Sequence, residues 1–319
     1  MDAVSFGLAR PTVLIRLNAL PMTAVAESND TQAPAFADLP AMREGVPTLA
    51  ELDGLKTTAF YGDFKGYSDR FLAAHKAALK GYGRHWGEDP MHLWSRRWEY
   101  PFAARAVLAH AARTGRDDLR CCDAGSGVTF LPYLLCERLP ETTFVAVDTN
   151  QAYVPMFKAV ANNVGHDRVT FKEAAIQKLP FADGSLDVLM CVSVLEHTGD
   201  YANAIAEVAR VIAPGGRLVL TFDLSLDEKF ELTRASSTTV LKTIAEHFEA
   251  DADELVTEAA KAYDGEVGLL STPEVREREP QHLPWKYPKL QAIYDLVRGY
   301  GWTGGFRSVA PFCLDVARR

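Results

Sequence analysis

Cysteine is scarce in this chain: five occur among 319 residues, none in a Cys-x-x-Cys pair, and Cys121-Cys122 falls inside an apolar run. That usage argues against a disulfide framework or a thiolate zinc site and suits a reducing cytoplasm. Dense Lys/Arg runs are missing as well. The 34 basic residues face 42 acidic ones for a net charge of −8, which argues against a nucleic-acid binder, since such a protein usually shows a basic face. Membrane spanning is equally disfavoured, and no fixed-period repeat or low-complexity tract occurs. With 48% hydrophobic and 24% charged residues, the composition is that of a globular protein. The length suits one large α/β domain with additions, or two modest domains.

The start of the chain carries little periodicity. Val13 to Leu20 is apolar but broken by Arg16, and Ala24-Val25-Ala26 has the look of a cleavage site. So short and interrupted a core favours a flexible arm, or a working start at Met22, over a secretory signal. Whether residues 1–21 belong to the working protein stays open. Pro34, Pro40 and Pro47 punctuate the next stretch, so residues 1–58 read as a flexible N-terminal arm. Residues 59–102 are aromatic-rich, with Phe60, Phe64, Phe71, Trp86, Trp94, Trp98 and Tyr100 among them. Such a stripe suits packing, but the charges in Trp94-Ser95-Arg96-Arg97-Trp98-Glu99-Tyr100 also suit a cover over a small substrate, contacted by Trp94, Trp98 and Tyr100.

From Ala103 onward helices and short apolar strands alternate. Helices are expected at 103–114, 130–139, 152–162 and 204–212, and strands at 119–124, 143–147, 169–172, 186–194 and 217–222. Short links between them imply a parallel sheet with helices on both faces. Residues 103–319 read as one domain with a polar, helical insert around 224–285, and Ser308 to Val316 as a closing antiparallel strand.

Three local patterns carry chemistry. Asp123-Ala124-Gly125-Ser126-Gly127 is a glycine turn between a strand and a helix, where backbone N–H groups can meet a ligand closely. A dinucleotide fingerprint places a third glycine at position 130, and the bulky Phe130 there argues against a pyrophosphate. Asp148 ends the next strand, Phe144 to Val147, 21 residues past Gly127, a suitable place for a carboxylate that accepts two ribose hydroxyls. The alternative, a solvent-facing Asp that caps the following helix, is the lesser reading, and the glycine turn beside it weakens that reading further. The third pattern is Leu179-Pro180-Phe181-Ala182-Asp183-Gly184, a turn into the strand that leads to Ser193-Val194-Leu195-Glu196-His197. Arg210 to Leu220 comes after it, with Pro214-Gly215-Gly216 inside.

Taken in order, these motifs resemble the class I S-adenosylmethionine-dependent methyltransferases, type 11 branch, over about Arg120 to Phe222, a third of the chain. The resemblance implies a doubly wound, mostly parallel α/β sheet of seven strands, Rossmann-like, with the N-terminal helices and the insert as substrate cover. It implies S-adenosylmethionine as cofactor, S-adenosylhomocysteine as product and a small-molecule acceptor. Asp123, Gly125, Ser126 and Gly127 would line the methionine side, Asp148 and Thr149 the ribose, and Ile176 and Gln177 the adenine. Ser193 would lie near the methionine amino group. Two departures are Thr129 in place of a further glycine and Ala175 where an acid often caps the adenine.

His197 is the candidate general base for an oxygen acceptor, with a structural role as the alternative. No metal is expected: related quinone O-methyltransferases carry an extra Glu where Ser193 stands, and Asp223, Asp227 and Glu228 read as a solvated loop. The expected activity is O-methylation of a small molecule, with N-methylation or a non-catalytic binding protein as alternatives. A nicotinamide oxidoreductase is disfavoured by Phe130. No nucleic-acid or membrane partner is expected, and a homodimer is left open.

Overall fold

Strands bounded by Gly and Pro set the frame. The computed structural model describes residues 39–82, 90–229, 232–284, 288–297 and 306–319. Expectations for residues 1–38, Trp86 and Trp285 fall outside them. Strands β1 (Arg120–Ala124), β2 (Thr143–Asp148), β3 (Val169–Glu173), β4 (Leu186–Val192), β5 (Ile212–Ser225) and β6 (Val309–Ala317) form one sheet in the order β3-β2-β1-β4-β5-β6. All neighbours run parallel except β6, which lies antiparallel to β5. Six strands are present among the described residues where the resemblance implies seven. The order reverses between β2-β1 and β4, so a crevice opens above the carboxyl end of β1.

The register sets the rim of that crevice. Asp123 pairs with Ala146 and Met190, and Ala124 with Val147, so Asp123 and Asp148 end neighbouring strands on the same side of the sheet. Strand β4 is buried from Leu186 to Cys191, as a central parallel strand must be.

Residues ahead of the sheet depart from the expected organisation. The stretch from Leu39 to Thr58 is not an unstructured lead-in. Gly45 and Cys313 exchange backbone bonds of 2.7 and 2.9 Å, which lays this segment along β6. Helix α1 (Leu49–Lys56) then starts on a capping box, with Thr48 and Glu51 bonding each other's backbone N–H groups. It buries Leu49, Leu52 and Leu55, and helix α2 (Ala59–His75) buries Tyr61, Phe64 and Phe71.

Helix α3 runs from Arg96 to Thr114, one full segment earlier than its expected start at Ala103, and stops at Gly115 with φ 65°. Nearly every residue from Arg96 to Ala111 is buried, so the helix has no solvent stripe to give it amphipathic periodicity. Its aromatic neighbours are core. Phe130 sits at 1% exposure, with the rings of Phe64 at 5.3 Å and Tyr100 at 5.8 Å. The ring that argued against a dinucleotide is therefore the apolar anchor on which the N-terminal helices dock.

The Leu224–Trp285 insert contains α7 (Arg234–His247), α8 (Ala252–Tyr263) and α9 (Thr272–Arg278), following α4 (Leu131–Arg138), α5 (Val154–Val164) and α6 (Tyr201–Val211). Val240, Leu241 and Ile244 are fully buried in one cluster with Leu220, Phe222 and Leu314, so α7 packs on the sheet face as core. Helix α10 (Pro288–Val297) precedes β6. All five cysteines are free and buried. No helix among the described residues is long and apolar enough to cross a membrane.

Trp98 is 1% exposed, which moves it from the expected lid into the core. Trp98→Ala should therefore cost roughly 3–5 kcal/mol of stability, read as a lowered urea midpoint, rather than act selectively on ligand binding.

Candidate active site

The chain leaves β1 through a turn that only glycine tolerates. Gly125 and Gly127 have φ of 70° and 50°, and a Cβ on Gly125 would stand 2.4 Å from Val194. The N–H groups of Gly125 and Ser126 donate to the carbonyl of Val147 at 2.7 and 3.0 Å, locking the turn to the end of β2. Asp148 is oriented by the same region. Its Oδ2 accepts the Gly127 N–H and its Oδ1 the Asn150 N–H, both at 2.9 Å. A carboxylate has about four acceptor sites, so two remain for a ligand's hydroxyls.

A cavity of about 310 Å³ opens over this turn. Of the residues expected from the sequence, it brings together Asp123, Gly125, Ser126, Gly127, Asp148, Ser193 and Tyr100. The others lie elsewhere. Thr149 is exposed beside the rim, and Ile176 packs in the core with Leu179. Gln177 reaches the Thr198 carbonyl at 3.4 Å. Trp94 and Trp98 are 4% and 1% exposed and belong to the core, not to the cavity wall.

The wall also contains residues that the sequence did not single out. Tyr82 accepts the Val128 N–H at 3.0 Å and meets Tyr153 edge-on at 5.2 Å, which closes one side with aromatic rings. Asn150 and Arg96 complete the polar lining. Asn150 stands two residues past Asp148 and caps the next turn through Ala152, a signal that was readable in the sequence. Arg96 had no comparable local signal.

Charge at the cavity is arranged in two parts. Asp123 is 4% exposed, and burial together with the Asp148 charge pushes its pKa up to about 7. Arg96, which lines the same cavity, forms a buried ion pair with Glu99 and donates to Ser193 Oγ at 2.7 Å. Glu99, fully buried, also accepts from Ser193 Oγ at 2.8 Å and Thr221 Oγ1 at 2.6 Å. Burial alone would raise the Glu99 pKa, but the Arg96 charge and these hydroxyl bonds win and hold it below the ordinary carboxylate value. Ser193 itself takes φ 50°, a strained conformation for serine that the network holds in place.

Glu196 and His197 part company. Glu196 is 6% exposed, and burial and the neighbouring Asp223 charge push its carboxyl well above the ordinary range. His197 is exposed and does not line the cavity. Partial withdrawal of its ring from water and the charges of Arg307 and Arg96 hold its pKa below the usual imidazole value.

Residues 122–220 match a family model described as a methyltransferase domain. The chain is 33% identical over 128 residues to a demethylmenaquinone methyltransferase of Deinococcus radiodurans, covering 39% of this chain and 48% of that protein. It is 44% identical over 54 residues to a 27-O-demethylrifamycin SV methyltransferase of Amycolatopsis mediterranei, covering 17% of this chain and 20% of that protein. The chain thus spans about half the length, or less, of these curated relatives. Among solved structures, it resembles a geranyl diphosphate methyltransferase in complex with S-adenosylmethionine. The TM-score is 0.45 at 14% identity, over 88% of this chain and 100% of that one.

Gly125→Ala should destabilise the protein by roughly 1–3 kcal/mol, through positive-φ strain and the collision with Val194. Chemical denaturation checks this. Val194→Ala in the same chain should recover only part of the collision, because it removes the two methyls but keeps a Cβ 2.9 Å from the new one, and should leave the backbone strain.

Proposed function

From residues 122–220, which match a family model described as a methyltransferase domain, we propose that the chain transfers a methyl group from S-adenosylmethionine to a small-molecule acceptor. The observation that carries this reading is Asp148, oriented by two backbone bonds at the rim of a 310 Å³ cavity whose floor is the glycine turn. The donor set fits the cofactor. Asp148 would accept the ribose hydroxyls, and Gly125 and Gly127 let the ligand approach the backbone. Asp123 offers a carboxylate to the methionine ammonium.

When bound, S-adenosylmethionine supplies an electrophilic methyl on a sulfonium, open to direct displacement by a nucleophile. Such a reaction depends chiefly on alignment and exclusion of water, which the Tyr82–Tyr153 edge and the buried α3 wall would provide. A hydroxyl oxygen is the proposed acceptor atom, as the name of the rifamycin relative says of that protein. His197, neutral at pH 7 and at the carboxyl end of β4, is the proposed base for such a hydroxyl. N-methylation needs no such base, and a binding-only protein would release no S-adenosylhomocysteine in the presence of any acceptor panel.

Two measurements test the cofactor reading. Asp148→Ala should weaken S-adenosylmethionine and S-adenosylhomocysteine together by roughly ten- to a hundredfold in calorimetric titration, with the fold intact. Asp148→Asn should recover part of that, and unchanged affinity in a folded Asp148→Ala protein would sink the reading.

The second measurement uses pH. With its pKa near 7, Asp123 is largely protonated in the ligand-free protein below that value. A bound ammonium favours the ionised form, so affinity should rise as pH increases through about 7 and then level off. Asp123→Asn should flatten this dependence.

A further inference from the structure

Helix α10 turns its large apolar side chains away from the protein. Among the described residues, five of the six exposed large apolar side chains belong to it. Leu290, Ile293, Tyr294 and Val297 recur at i, i+3, i+4 and i+7, so they form one stripe, and they are 65%, 52%, 51% and 81% exposed. Ala292, on the other side of the helix, is fully buried. The arrangement inverts that of an ordinary surface helix, whose apolar stripe faces the core. An exposed stripe of this kind marks a contact surface.

Contacts before and after the helix tie this part of the chain to the sheet's rim. Ahead of it, the Trp94 N–H donates to the His282 carbonyl at 3.0 Å. The His92 ring bonds the Gln281 carbonyl and the His282 ring the His92 carbonyl, both at 2.8 Å. Beyond it, the Leu226 N–H donates to the Ser308 carbonyl at 2.8 Å, and Thr272 Oγ1 to the Arg307 carbonyl at 2.6 Å. The chain then enters β6 at Val309, opposite Ser225 at the carboxyl end of β5, the side on which the cavity opens.

Two observations choose the occupant. Five side chains are few beside the roughly 20–30 residues a side of a stable protein interface, which disfavours a second copy of the chain. By sequence, Lys286, Lys289, Arg298 and Arg307 stand against one acid, Asp295, between residues 285 and 307, in a chain of net charge −8. Lys289 is itself exposed. An apolar stripe with local positive charge is complementary to an anionic lipid surface, where apolar side chains enter the acyl boundary and ammonium groups meet phosphate.

We propose that α10 seats the protein on an anionic phospholipid bilayer, contrary to the expectation of no membrane partner drawn from the sequence. Such a helix lies in the interface, so the lack of a spanning helix among the described residues does not bear on it. The contact is reversible, because one face of a ten-residue helix buries too little for permanent anchoring. It is also independent of the methyl-transfer reading, since no cofactor takes part.

The test is co-sedimentation of the full chain with vesicles of phosphatidylcholine alone and of phosphatidylcholine mixed with phosphatidylglycerol. Wild type should partition onto the mixed vesicles at least about fivefold more strongly than onto the neutral ones. Leu290→Gln/Ile293→Gln/Val297→Gln should lower partition onto the mixed vesicles at least about tenfold. Lys289→Glu should lower it about fivefold there and change little on the neutral vesicles. All four positions are exposed, so melting curves should match wild type. If the triple variant melts early, Lys289→Glu decides alone. Wild type left in the supernatant by both vesicles, or variants that bind as wild type does, overturns the assignment. Sedimentation equilibrium without lipid covers the rival occupant: a wild-type dimer that the triple variant dissociates overturns the lipid assignment in favour of a second copy.

Discussion

The buried pair of Arg96 and Glu99 is the contact on which the site depends. It lies where α3 meets the carboxyl ends of β4 and β5, reaching Ser193 on one and Thr221 on the other. Taking two charges out of water is unfavourable unless nearly every donor and acceptor is matched. Glu99 meets that condition through Arg96 and two hydroxyls, so the pair tolerates one arrangement of α3 and rejects displaced ones. Apolar packing around Phe130 supplies adhesion between the same parts but little directionality. Hydrophobic contact holds the N-terminal helices on the sheet, and the ion pair sets their register.

The cavity is consequently a joint product. Its floor comes from the glycine turn and Asp148, which any short window of sequence displays. Its upper wall comes from Tyr82, Arg96, Tyr100 and Tyr153, which separate elements bring together. That division explains which parts are legible in the sequence. Strand–helix alternation from β1 to β5 can be read because each apolar run is bounded by glycine, proline or a cap. Asp148 can be read because strand, turn and carboxylate are contiguous. Arg96 cannot, since nothing in Trp94 to Tyr100 tells a buried cation from a solvated one.

Two departures from the sequence pattern have specific physical causes. Helix α3 starts earlier than its pattern suggests because Pro101 looks like a helix breaker and because a helix buried all round lacks periodicity. The prolines between Pro34 and Pro47 suggest an unstructured lead-in, although Thr48 and Glu51 already spell a capping box. Ile176 follows a different logic. The resemblance places it beside an adenine, and its apolar side chain sits in the core with Leu179 instead.

The backbone exchange between Gly45 and Cys313 joins parts of the chain that leave the ribosome at widely separated times. The segment around Gly45 emerges before any strand of the sheet, while β6, its partner, emerges after all the others. Until then that segment has no template to pair with, and β5 presents an open edge of the kind that recruits foreign strands. Sealing the sheet is therefore a late act of biosynthesis, and nascent chains paused short of β6 are the form of this protein most exposed to aggregation.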